Sequence, residues 1–187
     1  MSEADIIRQC QKNNKQAQKT LFDTNYNWLM HLSLRYAKNE DQAKEILFCG
    51  YSTILSSIHD FGKTTISFDQ WMKDKFISSA VNYLKNQKEY YVTTTVHLKE
   101  VKTHGVFNES DAVEEAISLT GKDVLLAIQE LPPSFRSMFN MCTIDQIQLE
   151  TAAEILDVTI DTAKINLDKA TFLFHQNINK NRIMSHA

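Results

Sequence analysis

Only Asp157, Val158 and Thr159 separate two helical segments near the C-terminal end of the chain, and so short a link fixes how those segments pack. The first segment, Leu149 to Leu156, offers Ala152, Ala153, Ile155 and Leu156 as a packing face, and its two alanines let a neighbouring helix come close. The second starts at Thr159, whose hydroxyl suits an N-cap, and carries Ala163, Leu167, Ala170 and Phe174 on one stripe. Asp157 falls where such a corner often needs a left-handed residue, a conformation that Asp tolerates better than most. Val158 plugs the corner. The pattern suits a helix-turn-helix, and an ordinary helical hairpin would meet the same spacing.

A third helix precedes these two. Leu131-Pro132-Pro133-Ser134 is a turn that hands over to it, because proline is tolerated only before or within a first turn. Phe135, Met138, Phe139 and Cys142 then recur at helical spacing. With 4 glycines and 2 prolines in 187 residues, the whole chain reads as all-α. That length allows one large domain or two small ones. The expected organisation is a helical domain over 1–91, an acidic linker over 92–119 and the helix-turn-helix domain over 120–187.

In the first domain, residues 2–19 predict a polar helix packing through Ile6, Ile7 and Cys10. Thr20 to Tyr36 predicts a second, with Leu21, Trp28, Leu29, Leu32 and Tyr36 as core. A third begins after Asn39-Glu40-Asp41, where acidic residues suit a helix N-terminus, and runs to about His59 with Ala43, Ile46, Leu47, Tyr51, Ile54 and Ile58 inward. Gly62 and residues 64–67 read as a loop, and Ser67 or Asp69 could cap the next helix.

That helix, Trp71 to Lys85, has an apolar stripe of Trp71, Phe76, Ala80, Tyr83 and Leu84. Lys73, Lys85 and Lys88 lie on or near the opposite side together with Asn82. Cations interleaved with aromatic rings suit single-stranded DNA, the cations on phosphates and the rings on bases. A core helix with a solvated polar face gives the same pattern. From residue 86 to 119 the β-branched run Val92-Thr93-Thr94-Thr95 favours extended chain. Ala112 to Leu119 could begin a helix, with Gly121 a break before Asp123 to Glu130.

Charge changes sign along the chain. Residues 1–91 hold 12 Lys/Arg against 10 Asp/Glu, residues 92–119 hold 2 against 5, and residues 120–187 hold 6 against 8. The net charge of -3 argues mildly against a nucleic-acid binder that relies on bulk electrostatics.

Enzyme chemistry finds little material. Gly62-Lys63-Thr64-Thr65 resembles the end of a phosphate-binding loop, but Ser57 stands where its first glycine is required and no strand precedes it. The 6 histidines lack metal-ligand spacing with each other or with Cys10, Cys49 and Cys142. No catalytic residue, cofactor, metal or small-molecule substrate is therefore expected. Cys49 and Cys142 sit among apolar neighbours and read as buried thiols, which suits a reducing cytoplasm. No signal peptide or membrane-spanning run is visible, so membrane insertion is not expected.

Several segments carry a family resemblance. Leu131-Pro132-Pro133 with Phe135-Arg136, then Ala153-Glu154-Ile155-Leu156, Thr162-Ala163-Lys164 and Lys169-Ala170 resemble the promoter-reading C-terminal domain of RNA polymerase sigma factors, in particular the extracytoplasmic-function (ECF) group. Leu21-Phe22-Asp23, the acidic helix from Asp41 to Leu47, Phe68-Asp69-Gln70-Trp71 and Asn82-Tyr83-Leu84-Lys85 resemble that family's first domain, in the same order.

The resemblance implies a two-domain factor that directs core RNA polymerase to promoters and assists melting, with no chemistry of its own. It places Asp41, Glu45, Phe48 and Tyr51 on polymerase, and Trp71, Lys73, Asn82, Lys85 and Lys88 on the minus-ten promoter DNA. Arg136, Thr162, Lys164 and Lys169 would meet the minus-thirty-five element, with the last helix in the major groove. A flipped-base pocket would lie at Gly62 to Ser67, and an anti-sigma factor is a plausible partner. The chain also departs from the family. Phe48-Cys49 replaces a Gln-Glu pair, and Asp74, Ile77 and Ser78 replace basic residues and an Asn. Ile165, Asn166 and Asp168 stand where small or basic residues are preferred. These departures support the alternative of a sigma-derived regulatory interaction protein with weakened DNA binding.

Overall fold

Helix propensity is the main local signal in this chain, and helices are what it forms. The computed structural model describes residues 2–63, 65–87, 90 and 120–185, of 182–185 the helical backbone alone. Among the described residues there are eight α-helices and no strand. The chain divides into two compact units, Met1–Gln87 and Lys88–Ala187. Lys88, most of the expected linker and the helix expected from Ala112 to Leu119 lie outside the described residues.

The first unit opens with α1 (Glu3–Gln11), held by a reciprocal cap between Ser2 and Asp5. The expected continuous helix to residue 19 is broken at Asn13, which takes a left-handed φ of 58°. Asn14 then caps α2 (Lys15–Tyr36), its Oδ1 accepting from the Ala17 N–H at 3.1 Å. Adjacent asparagines supply both a residue tolerant of positive φ and an N-cap, which the polar composition around them concealed.

Asn39 caps α3 (Glu40–Ser57) in the same way, through the Gln42 N–H at 2.9 Å. A 3-10 turn over Ile58–Lys63 follows and absorbs Gly62. Ser67 caps α4 (Phe68–Lys85), which starts three residues before Trp71. Leu29, Leu32, Ile46, Leu47, Ile54 and Phe76 are fully buried at the centre of this unit. Burying each such side chain contributes roughly 1.5–3 kcal/mol. Two expected core residues are not inside. Trp28 is 39% exposed, because Leu29 and Leu32 take the inward stripe and Trp28 lies about 100° round the helix from Leu29. Cys49 is exposed, one step round α3 from buried Gly50.

In the second unit Thr120 and Asp123 form a reciprocal cap for α5 (Gly121–Gln129). Gly121 is therefore the first residue of the helix and not a break. Pro132 precedes α6 (Pro133–Phe139), which continues through a single π turn, Asn140–Ile144. The closing pair is α7 (Leu149–Leu156) and α8 (Ile160–Ser185). Between them Asp157 takes φ 57° and ψ 48°, the left-handed conformation expected from the sequence.

The Val158 N–H reaches back to the Ala153 carbonyl at 3.0 Å and that of Asp157 to Glu154 at 3.1 Å, closing the end of α7. Thr159 caps α8 through the Thr162 N–H at 3.2 Å. Ile128, Leu131, Phe135, Phe139 and Ala170 form the core of this unit, and the Phe139 ring stacks on Phe174 at 4.6 Å.

Candidate functional site

The helices of the first unit present three distinct surfaces. Along α3, Asp41, Glu45 and Phe48 recur every three or four residues and all point outward, with Phe48 64% exposed. Tyr51, one turn on, is half-buried: its hydroxyl donates to the Gln18 carbonyl at 2.5 Å and its ring meets Phe22 edge-on at 4.9 Å. Burial pushes its phenol upward. Tyr51 thus joins α2 to α3, while its neighbours Glu45 and Phe48 stay exposed.

A second surface is the open groove between α3 and α4, about 430 Å³ in volume. Its α4 side consists of Lys75, Ser78, Ser79, Asn82, Tyr83 and Asn86. Positions 75, 78, 79, 82 and 86 share one helical stripe, so this polar face was visible in the sequence; Lys75 was nonetheless missed beside Asn82. Thr53 and Ser79 bridge the groove floor through their hydroxyls at 3.0 Å. At its rim Tyr83 donates to the Glu45 carboxylate. Burial, reinforced by that carboxylate, pushes the Tyr83 phenol to about 12.

The third is a cavity of about 360 Å³ at the start of α4, lined among others by Asn25, Trp28, Ser67, Gln70 and Lys73. Lys73 therefore stands apart from Asn82, on another side of the helix. Lys85 is partly exposed near the end of α4, and Lys88 is outside the described residues.

Trp71 is only 4% exposed, its ring 5.7 Å from Phe61 and 5.8 Å from Phe68. Its indole is packed inside and does not offer a face to a base. Lys75 Nζ lies 6.0 Å from the same ring, a cation–π distance.

In the second unit Arg136 is 3% exposed and donates to the Leu131 carbonyl at 2.7 Å. This contact staples the start of α6 to the turn before it. Desolvation lowers the guanidinium from its ordinary value. As placed, Arg136 supports the fold and does not reach outward.

The outward face of α8 carries Asp161, Thr162, Lys164, Ile165 and Asp168, with Lys169 at its edge. Thr162 is tied into the cap, its hydroxyl accepting from that of Thr159 at 2.9 Å. Asn166 is 8% exposed and belongs to the inward side, so it cannot act as an outward reading position.

Among the described residues, no three His, Cys, Asp or Glu side chains gather as a metal site needs. No helix among them is long and apolar enough to cross a membrane.

No family model matches the sequence, and no curated protein matches it. Solved structures do. The chain is similar to the sigma factor RpoE in complex with the anti-sigma factor NepR from Bartonella quintana, with 20% identity over 86% of this chain and 96% of that chain and a TM-score of 0.52. It is also similar to CnrH in complex with the cytosolic domain of CnrY, with 10% identity over 94% of this chain and 96% of that chain and a TM-score of 0.48. The likeness to RpoE is one of fold: the chain has a sigma-like, all-helical architecture.

Proposed function

We propose that this chain is a sigma-like initiation factor of the ECF type, which brings core RNA polymerase to promoters and assists melting without chemistry of its own. The observation that carries the reading is the fold itself, which is shared with a sigma factor over 96% of that chain. The surfaces support it in detail. Asp41, Glu45 and Phe48 form an exposed face on α3 suited to a protein partner, with Phe48 as its apolar centre. The polar groove holding Asn82 and Lys75 can take a sugar-phosphate backbone, and the cavity beside Trp28 and Lys73 offers a ring and a cation for a base and its phosphate.

In this reading α7 and α8 act as a helix-turn-helix, with Thr162, Lys164 and Lys169 toward the major groove. The promoter contribution of Trp71 and Arg136 is indirect, through the packing that shapes α4 and α6. The factor would work in the cytoplasm. An anti-sigma partner is part of the proposal, since RpoE is solved in complex with one. Run-off transcription with core polymerase of the source organism tests the reading. Promoter-dependent transcripts that need this chain support it; failure to bind core polymerase refutes it.

A second reading, a sigma-derived regulatory interaction protein, is favoured by one observation. Asp161, Ile165 and Asp168 occupy the face of α8 that would otherwise enter DNA. Such a protein would bind its protein partners while leaving promoter duplex unread.

A further inference from the structure

We infer that the cavity at the start of α4 selects guanine, with Asp69 and the side-chain amides of Asn25 and Gln70 reading its Watson–Crick edge. This deepens the base-binding reading of that cavity and rests on it. The space, about 360 Å³, falls within the size range of small-ligand sites. Trp28, 39% exposed, gives it an aromatic wall, and Lys73 gives it a cation. A ring beside a cation takes any nucleotide, the ring on the base and the cation on its phosphate. These two groups alone do not choose among the four bases.

The remaining polar groups make that choice, because their amide nitrogens are already engaged. Asn25 Nδ2 donates to the Leu21 carbonyl at 2.9 Å, which leaves Oδ1 as the end that meets a ligand. Gln70 Nε2 donates to Asp74 Oδ1 at 2.8 Å and leaves Oε1 in the same way. Asp69 adds two carboxylate oxygens. The lining is therefore rich in acceptors. A thymine edge offers one N–H between two carbonyls, and adenine and cytosine each set a bare ring nitrogen beside one amino group. Guanine presents two adjacent donors, N1–H and the N2 amino group, which match the two oxygens of a carboxylate. Its O6 then needs a donor. The Ser67 hydroxyl, whose oxygen accepts from the Gln70 N–H at 3.3 Å, keeps its proton for that contact. The recognised chemistry is this edge, whether the guanine stands unstacked in a single strand or belongs to a free nucleotide.

The test uses the full chain and two probes. Fluorescence anisotropy follows labelled single-stranded oligothymidines carrying one central dG, dA or dC, and tryptophan quenching follows the four nucleoside monophosphates. The dG strand is expected to bind at least about tenfold tighter than the other strands. Asp69→Asn should remove that preference with thermal unfolding nearly unchanged, since Asp69 is exposed. Trp28→Leu should instead weaken all strands alike. Preference seen with the strand alone makes the source a nucleic acid; preference seen also with guanosine monophosphate admits the free nucleotide, and either result supports the site. Equal binding of all bases, preference for another base, a guanine preference that survives Asp69→Asn, or no binding of either probe would overturn it. Core polymerase binding is measured separately, so a chain that binds polymerase yet ignores base identity here refutes this inference alone.

Discussion

Gly50 of α3 lies directly under the ring of Phe76 of α4: a methyl group added at Gly50 would stand 2.4 Å from Phe76 Cε2. Both residues are buried, Phe76 completely. The close approach of these helices is therefore set by the absence of a side chain. Gly50→Ala is expected to lower stability by about 1–3 kcal/mol, overpacking outweighing its better helix propensity. Urea unfolding measures it. Phe76→Leu in the same chain should recover part of the loss, and strict additivity of the two changes would contradict the contact.

The left-handed turn at Asp157 makes a second prediction. With φ at 57°, Asp157→Gly should be neutral or slightly stabilising in thermal unfolding. Asp157→Val should cost about 1–2 kcal/mol, because its branched side chain meets the backbone in that conformation. Equal melting temperatures for the two variants would contradict the turn.

Tyr83 predicts an alkaline signature. Its folded-state phenol sits at about 12 against 10.0 for an unperturbed one, raised first by burial and then by Glu45. A raised value stabilises the fold fully below the unfolded pKa and loses that contribution as pH climbs through the folded one. Between pH 10 and about 12 the wild type should therefore lose more stability than Tyr83→Phe does. Parallel denaturation curves of the two proteins over that window would mean the phenol is free.

Arg136 separates a packing role from a DNA role. Arg136→Ala removes the donor to the Leu131 carbonyl and a buried stem, at an expected cost of about 2–4 kcal/mol. Under strongly folding conditions, any residual duplex affinity should be little changed. A stable variant with abolished DNA binding would return Arg136 to the phosphate backbone.

Phe48 tests the α3 face. Being 64% exposed, it should be replaceable by Ser with a stability change within about 0.5 kcal/mol. Co-purification with core polymerase should fall at least about tenfold if this ring anchors the partner.

Much of this structure was legible in the sequence because it is written in local rules. The caps at Ser67 and Thr159 each follow from a side chain acting within four residues of itself, and the left-handed Asp157 ends α7 where its residue type suits such a turn. What periodicity left open was decided by competition for the interior. Trp28 loses its place to Leu29 and Leu32, and Asn166 turns inward beside Ala163 and Ala170. The same ambiguity affected Trp71, whose aromatic ring suits a base as well as it suits Phe61 and Phe68. Nothing local distinguishes those fates, since the deciding residues come from other turns of the chain.

α8 serves two masters. Its inward edge is anchored on α5 and α6 by Ala170, Phe174 and the Asn177 amide, which donates to the Ala127 carbonyl at 3.1 Å. None of these anchors lies on the side that carries Asp161, Ile165 and Asp168. Substitutions on that outer side can thus change what the helix recognises while the anchors that hold the frame stay in place.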